Sequence, residues 1–322
     1  MIVSRELLLA LAGGIASAIL SIGSFGPAPV VAVGLALGWS LASISAAVAA
    51  MLLLFTIGGV GVIEYIAVTA VPALLIVRLA LISRPGEIPG KTRWYPPGLI
   101  LGWLAAYSVA ILALITLYFE IAGPGIETAS RNFLRAAMDQ LFQQTAIKSQ
   151  PGIDATKLAA LPELYARLVG AFLPGIAVAG SLVLLVPNAT IAQGILVRIR
   201  RALRPSPSYA ALSLPRWLAA ALAVALACTF LPGALGGFGT NAALVLATPF
   251  LLLGLAVIHT LSRRASKPGS VLAAIYIVLF LLGILLGLAV ILLGAIALLG
   301  MLEQWISLRR RFAAGGANQE DE

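Results

Sequence analysis

Long apolar runs set the pattern of this chain. They lie at roughly 6–24, 28–38, 41–57, 60–82, 99–119, 168–197, 217–233, 242–260, 271–286 and 288–306, with short polar or glycine–proline stretches between them. Runs of about 17 or more apolar residues match the thickness of a bilayer core in helical form. The runs are continuous rather than alternating, so a barrel of about ten-residue amphipathic strands is excluded. The pattern predicts an all-α, polytopic transmembrane helical bundle with about eight to ten hydrophobic segments. One of these is a half-span: 28–38 is about 16 Å long at helical rise, short of a roughly 30 Å core. Gly26, Pro27 and Pro29 end the first run, and Gly38 separates 28–38 from 41–57. The stretch 271–306 is too long for one span, and it is expected to split near Gly283–Gly287.

One polar piece interrupts this series, 120–167. Within it Phe133, Leu134, Ala137, Met138, Leu141 and Phe142 recur at helical spacing, with Arg131, Arg135, Asp139, Gln143 and Gln144 between them. That predicts an amphipathic helix over about 127–146, lying in the outer interface or lidding a cavity. Pro151, Gly152 and Pro162 are expected to break the chain after it. The domain reading is therefore a four-segment membrane unit at 1–98, a span at 99–119, an extracytoplasmic amphipathic segment at 120–167, membrane helices at 168–308 and a cytoplasmic tail at 309–322.

Composition agrees with lipid as the solvent. Apolar residues make up 61% of the chain and charged residues 10%, with a mean hydropathy of +1.06. Soluble domains carry about 45–50% and roughly 25%. The single Cys228 and single His259 rule out an internal disulfide and a multi-histidine metal site, and no cofactor motif is present. The net charge of +9 does not indicate nucleic-acid binding, because the bases sit in short loops between apolar runs.

Those loops give the orientation instead. Loop 84–98 carries Arg84, Lys91 and Arg93 against Glu87; loop 198–216 carries Arg198, Arg200, Arg201, Arg204 and Arg216; loop 262–270 carries Arg263, Arg264 and Lys267. Arg309, Arg310 and Arg311 follow the last run. All four places are expected in the cytoplasm of a bacterial inner membrane, and the charge-balanced 120–167 outside. The N-terminal run is read as a retained span with a cytoplasmic start, rather than a cleaved signal.

Chemistry is sparse. No nucleophile–base set, carboxylate pair or nucleotide motif occurs, so no catalytic residue is assigned and the chain is not expected to be an enzyme. Charged or polar groups within spans are the candidates for a ligand site or pathway. These are Glu64, four residues into 60–82, and Asn188 and Gln193 in 168–197. Pro174 and Pro187 are expected helix breaks in that same segment, and discontinuous helices are how many transporters build their sites. Interfacial placement of Glu64 and simple packing kinks at the prolines are the competing readings. Arg78 is expected to snorkel to the interface, and His259 to lie at the interface beside Arg263. LPGALGGFGTN at 231–241 reads as a tight hairpin, since it lacks the strand and soluble helix of a phosphate loop.

The order of these features resembles a known family. The chain opens with LAGGIASAILS and GPAPVVAVGLALGW, continues with LALISRPG…WYPPG and later LPRWL, and closes with MLEQWISLRRR. It resembles the uncharacterised YybS-like membrane proteins (domain of unknown function 2232), in the form typical of alphaproteobacteria. Its first four segments are also similar to the start of a substrate-binding S component of energy-coupling-factor transporters. That likeness implies ligand binding among the first helices and docking on a partner through small-residue faces such as Gly13, Ser17 and Ser21. This chain has more spans than such components. Two functions are expected from the whole: permease-like binding or transport of a small solute or lipid-like ligand, or a non-transporting scaffold or assembly partner of a larger membrane complex. The expected partners are membrane lipids and a membrane protein or second copy, with no nucleic acid.

Overall fold

The computed structural model describes residues 4–88, 90–144, 155–207, 212–263, 265–285, 288–306 and 308–309. Lys148, Pro151, Gly152, Asp154, Arg264, Gly287, Arg310 and Arg311, and the tail beyond, lie outside the described residues. Twelve α-helices are present among those described. They are α1 (Arg5–Leu20), α2 (Pro27–Leu37), α3 (Trp39–Tyr65), α4 (Val71–Ala80), α5 (Pro97–Ala122), α6 (Ile126–Gln144), α7 (Ala155–Val169), α8 (Leu173–Arg198), α9 (Arg216–Cys228), α10 (Ala234–Ser262), α11 (Pro268–Leu285) and α12 (Ala289–Ile306). A two-stranded antiparallel ribbon, β1 (Ser83–Pro85) with β2 (Thr92–Trp94), is a small addition that hydrophobic periodicity did not signal.

Six helical stretches are long and apolar enough to cross a membrane, and three shorter apolar helices accompany them. Large apolar side chains stand exposed along them, among them Ile22, Phe55, Val60 and Phe230, each more than 80% accessible. In water such surface would associate; in hydrocarbon it is solvated. The chain is an all-α, polytopic membrane protein.

One of those stretches, Trp39–Ala80, is 42 residues long. At about 1.5 Å per residue it is roughly twice the core thickness, so it cannot be one pass. Gly58 resolves this with φ +76° and ψ −177°, a conformation that only glycine adopts without strain. The two halves double back, because a Cβ on Gly34 of α2 would meet both Ala42 and Val77. This matches the expected separation of 41–57 from 60–82, although the first helical half begins at Trp39. Five π-helical residues, Ile66–Ala70, join α3 to α4.

The half-span at 28–38 is α2, which ends at Gly38 with φ +102°. It runs back along α1. Ser17 donates to the Gly26 carbonyl at 2.7 Å, while a Cβ on Gly13 would meet Val33 and, at 3.0 Å, the Ser45 hydroxyl. The split of 271–306 is also present, with α11 ending at Leu285 and α12 starting at Ala289.

Three local expectations are corrected. Pro162 does not break the chain, because it lies inside α7. The glycine-rich 231–241 is mostly helix: α10 begins at Ala234, and Gly239 lets its backbone approach Cys228 and Thr229. Glycine is poor in an isolated helix, yet close helix contact in lipid favours it. The break at Pro187 does not end α8, which runs through it to Arg198. Its one lost backbone bond is that to the Val183 carbonyl; Asn188 and Thr190 bond back to the carbonyls of their own preceding turn, Leu184 and Val186, both at 2.8 Å.

The chain divides into two compact units. The first comprises 1–107, 181–219 and 247–322, and the second 108–180 and 220–246. In the first, α1 packs on α2 and α3, and α10 crosses α12 where Gly254 and Gly300 let backbones touch. In the second, α6 and α7 pair side by side. Glu163 of α7 bridges them by an ion pair to Arg135 of α6 at 3.3 Å, and along α7 it pairs with Arg167 at 2.8 Å.

Candidate functional site

Helix α8 carries both of the buried polar candidates. Asn188 is 2% exposed and Gln193 6%. Five residues apart on a helix, they point about 140° apart and serve different neighbours. Asn188 donates through Nδ2 to the Ser24 carbonyl at 3.1 Å as well as to Leu184. Ser24 sits in the left-handed region with φ +64°, so Asn188 fixes the turn that ends α1.

Gln193 faces a cavity within the first unit, of about 100 Å³. Its walls are Leu35, Ile76, Ala80, Pro97, Ile100, Leu101, Leu104, Val186, Ala189, Thr190, Pro207 and Leu212, with Gln193 and Arg204 supplying polar groups. The elements that frame it are interrupted ones: α2 ends at Gly38, α4 follows the π-helical stretch, and α5 starts at Pro97. π-helical turns recur at functional sites.

The polar end of this cavity is tightly specified. Gln193 donates from Nε2 to the Arg204 carbonyl at 2.8 Å, leaving its Oε1 buried without a hydrogen-bond partner among the described residues. Arg204, 7% exposed, donates from Nη1 to the Ala80 carbonyl at 3.0 Å, and its guanidinium lies 5.6 Å from the Trp94 ring centroid. A buried amide oxygen with nothing to accept costs about 1–3 kcal/mol. Asn188 Oδ1 and Gln304 Oε1, which lie outside this cavity, are buried in the same way, so the state is not peculiar to the cavity.

The segment 199–207 closes over this end. Leu203 donates to the Leu35 carbonyl at 2.9 Å. Further along, Gln304 of α12 donates to the Leu214 carbonyl at 3.3 Å. Arg309 donates from Nη2 to the Leu212 carbonyl at 2.6 Å and from Nε to Glu303 Oε1 at 2.7 Å. Thus LPRWL and MLEQWISLRRR, far apart in sequence, meet. A Cβ on Gly98 of WYPPG would strike the Ser213 carbonyl beside them.

The remaining candidates are placed elsewhere. Glu64 is exposed near the end of α3 and does not line the cavity; beside it, Tyr65 is buried and its hydroxyl lies 2.8 Å from Ser17 Oγ. Glu64, Asn188 and Gln193 are therefore not gathered in one site. Pro174 is the second residue of α8, where a missing N–H is harmless. The next donor, Gly175 N–H, reaches Asn241 Oδ1 at 2.6 Å, and Asn241 Nδ2 returns a bond to the Ala171 carbonyl at 2.9 Å. Gly13, Ser17 and Ser21 are occupied inside the chain: Ser17 is fully buried, and Ser21 donates to the Ser17 carbonyl at 2.7 Å. They are not a free docking face. Sequence reasoning missed Arg204, which it counted as loop charge. Only its contacts with Ala80, Gln193 and Trp94 separate it from Arg200 and Arg201.

A second, polar cavity of about 560 Å³ lies on α6 and α7, lined by Thr128, Arg131, Asn132, Arg135, Glu163, Ala166 and Arg167. Arg131 pairs with Glu127 at 2.5 Å. These side chains are 42–71% exposed, and each arginine has a glutamate, so this cavity has the character of a solvated face.

Residues 7–297 match the model of a family described as "Predicted membrane protein (DUF2232)". No curated protein matches the chain, and no solved structure does.

Proposed function

The chain belongs to this family of predicted membrane proteins, and from that premise we propose that it is a permease-like protein that binds or transports a small solute or lipid-like ligand in the cavity at Gln193. The observation that carries this reading is an apolar cavity lined by α2, α4, α5 and α8, with Gln193 and Arg204 as its polar lining residues and interrupted helices framing it. Ligand pockets are largely apolar with a few convergent polar groups, and transporters place such sites at helix breaks. The reading is of a binding protein and not an enzyme. The finer family likenesses, YybS-like of alphaproteobacterial type and S-component-like, fit a half-span α2 lying against α1 and α3 within the first four segments. By loop charge the host is the bacterial inner membrane with the C-terminus in the cytoplasm.

Native mass spectrometry of the full chain in a mild neutral detergent tests the site. Ala189 lines the cavity, and Ala189→Leu fills it. The expected result is a co-purifying or added ligand that binds the wild type and is lost at least tenfold in the variant, with the melting temperature within a few degrees. A wild type that binds nothing that Ala189→Leu removes would favour the alternative, a non-transporting scaffold or assembly partner. Such a scaffold would use the outer helices α6 and α7, whose Phe133, Leu141 and Leu164 are exposed.

A further inference from the structure

The ribbon between α4 and α5 holds two arginines side by side. In its antiparallel register Ser83 is opposite Trp94 and Arg84 is opposite Arg93. Successive residues of a strand point to opposite faces, so the arginines share one face while Ser83 and Trp94 share the other. The Trp94 face turns inward, since its ring lies 5.6 Å from the Arg204 guanidinium. Arg84 and Arg93 lie on the outer face, and both are exposed. Directly opposed residues stand about 4.5–5.5 Å apart at Cβ, and like charges there are destabilising. Glu87 relieves this only weakly: its 3.9 Å contact with Arg93 joins side chains that are 94% and 73% exposed, and such a pair contributes little. Arg84, Lys91 and Arg93 against Glu87, three bases less one acid, leave the ribbon with a net charge of +2. Two adjacent guanidiniums suit an anion with several acceptor oxygens, above all a phosphate.

The position of the ribbon selects the source of that phosphate. It starts at Ser83, just after α4 ends at Ala80, and finishes at Trp94, just before α5 starts at Pro97. Both flanking helices are apolar, so the ribbon lies where the chain leaves and re-enters the bilayer. Beside it Trp103 donates from Nε1 to the Tyr95 hydroxyl at 3.0 Å, an aromatic pair of the kind that marks the headgroup level. At the ribbon tip Ile88 is 56% exposed, an apolar side chain next to charged Glu87. A lipid surface accommodates both kinds of group.

We propose that Arg84 and Arg93 clamp the phosphodiester of an anionic phospholipid headgroup, with the ribbon lying on the membrane surface and Ile88 entering its edge. The guanidiniums donate N–H groups to the non-bridging phosphate oxygens. Lys91 adds to the positive field and Glu87 opposes it. The net charge of +2 favours a headgroup of net negative charge over a zwitterionic one. None of the ribbon residues lines the α8 cavity, so this contact stands or falls separately from the ligand site proposed there.

The test is equilibrium binding to the full chain in neutral detergent at one salt concentration. The probes are short-chain phosphatidylglycerol, phosphatidylcholine with the same tails, and glycerol 3-phosphate, which has the phosphate without tails. Phosphatidylglycerol is expected to bind at least about fivefold tighter than either of the others, the effect of one basic residue near an anionic surface. Arg84→Gln and Arg93→Gln should each weaken phosphatidylglycerol about fivefold, and the two together should abolish its preference over phosphatidylcholine. Glu87→Gln should tighten binding, a gain that a misfolded variant does not show. Lys267, exposed in the loop before α11, is the control outside the ribbon, and Lys267→Gln should change binding by less than about twofold. Melting temperatures taken without lipid should match the wild type, because all of these side chains are exposed. The inference is overturned if Lys267→Gln costs as much as Arg84→Gln, which would mean general attraction to a basic face. It is overturned too if Glu87→Gln weakens binding, or if the double arginine variant keeps the preference. Glycerol 3-phosphate binding as tightly as phosphatidylglycerol would make the occupant a soluble phosphate ester and would overturn it as well.

Discussion

At the residue scale, small side chains decide where backbones touch. A Cβ on Gly300 would run into the Phe250 carbonyl, and one on Gly254 into that of Ile296. Gly294, one turn and a half earlier on α12, has nothing within 4 Å. Gly300→Leu should therefore cost about 1–3 kcal/mol by forcing α10 and α12 apart, while Gly294→Ala should be neutral or stabilising by up to about 1 kcal/mol. Thermal unfolding in detergent distinguishes them, and equal effects would contradict the packing. The Glu303–Arg309 pair is a second such point, with side chains 6% and 11% exposed. Its two charges together contribute little net stability, but removing one strands the other. Arg309→Ala should lower stability by about 3–5 kcal/mol, and replacing both with Met and Leu should recover most of it.

At the element scale, breaks in hydrophobic helices are set by conformation more than by composition. Gly58 has φ +76° and an empty surrounding, so any penalty for replacing it is conformational rather than steric. Gly58→Ala should cost about 1–3 kcal/mol, and Gly58→Asn should give no relief, because ψ −177° lies far from the left-handed region that asparagine tolerates. A melting curve on which both variants match the wild type would argue for a straight Trp39–Ala80 helix. Pro187 shows the converse. Its helix continues to Arg198, since the proline removes only the one backbone bond to the Val183 carbonyl. Asn188→Leu should then cost about 1 kcal/mol, through loss of the bonds to Leu184 and Ser24.

At the scale of the whole molecule, the charge pattern and the doubled-back elements make one topology. Leu35, Ala80, Leu203 and Arg204 are joined by hydrogen bonds, so the ends of α2 and α4 and the segment after α8 share one side. With Arg198, Arg200 and Arg201 beside them, that side is expected in the cytoplasm. Reporter fusions at residue 1, after Arg201 and at the C-terminus should all read cytoplasmic, and one at Gln140 should read external. An external residue 1 would mean that α1 and α2 do not form a hairpin on one side.

The sequence by itself determined the solvent of this protein and its coarse architecture. Uninterrupted apolar runs at the length of a bilayer have no other stable outcome than helices, since unpaired backbone groups are too costly in hydrocarbon. The half-span at 28–38 was legible because glycine and proline mark both of its ends, and the amphipathic helix α6 because its period shows on one strand of text. Packing alone decided the rest. Whether glycines at 234–239 turn or stay helical depends on a neighbouring backbone at Cys228, and whether Pro187 breaks α8 depends on the packing around a helix that loses one backbone bond there. Arg204 looks like Arg200 and Arg201 in the sequence. Only the long-range meeting of Ala80, Trp94 and Gln193 places it in a cavity, because burial is a property of contacts between distant segments and leaves no local mark on the chain.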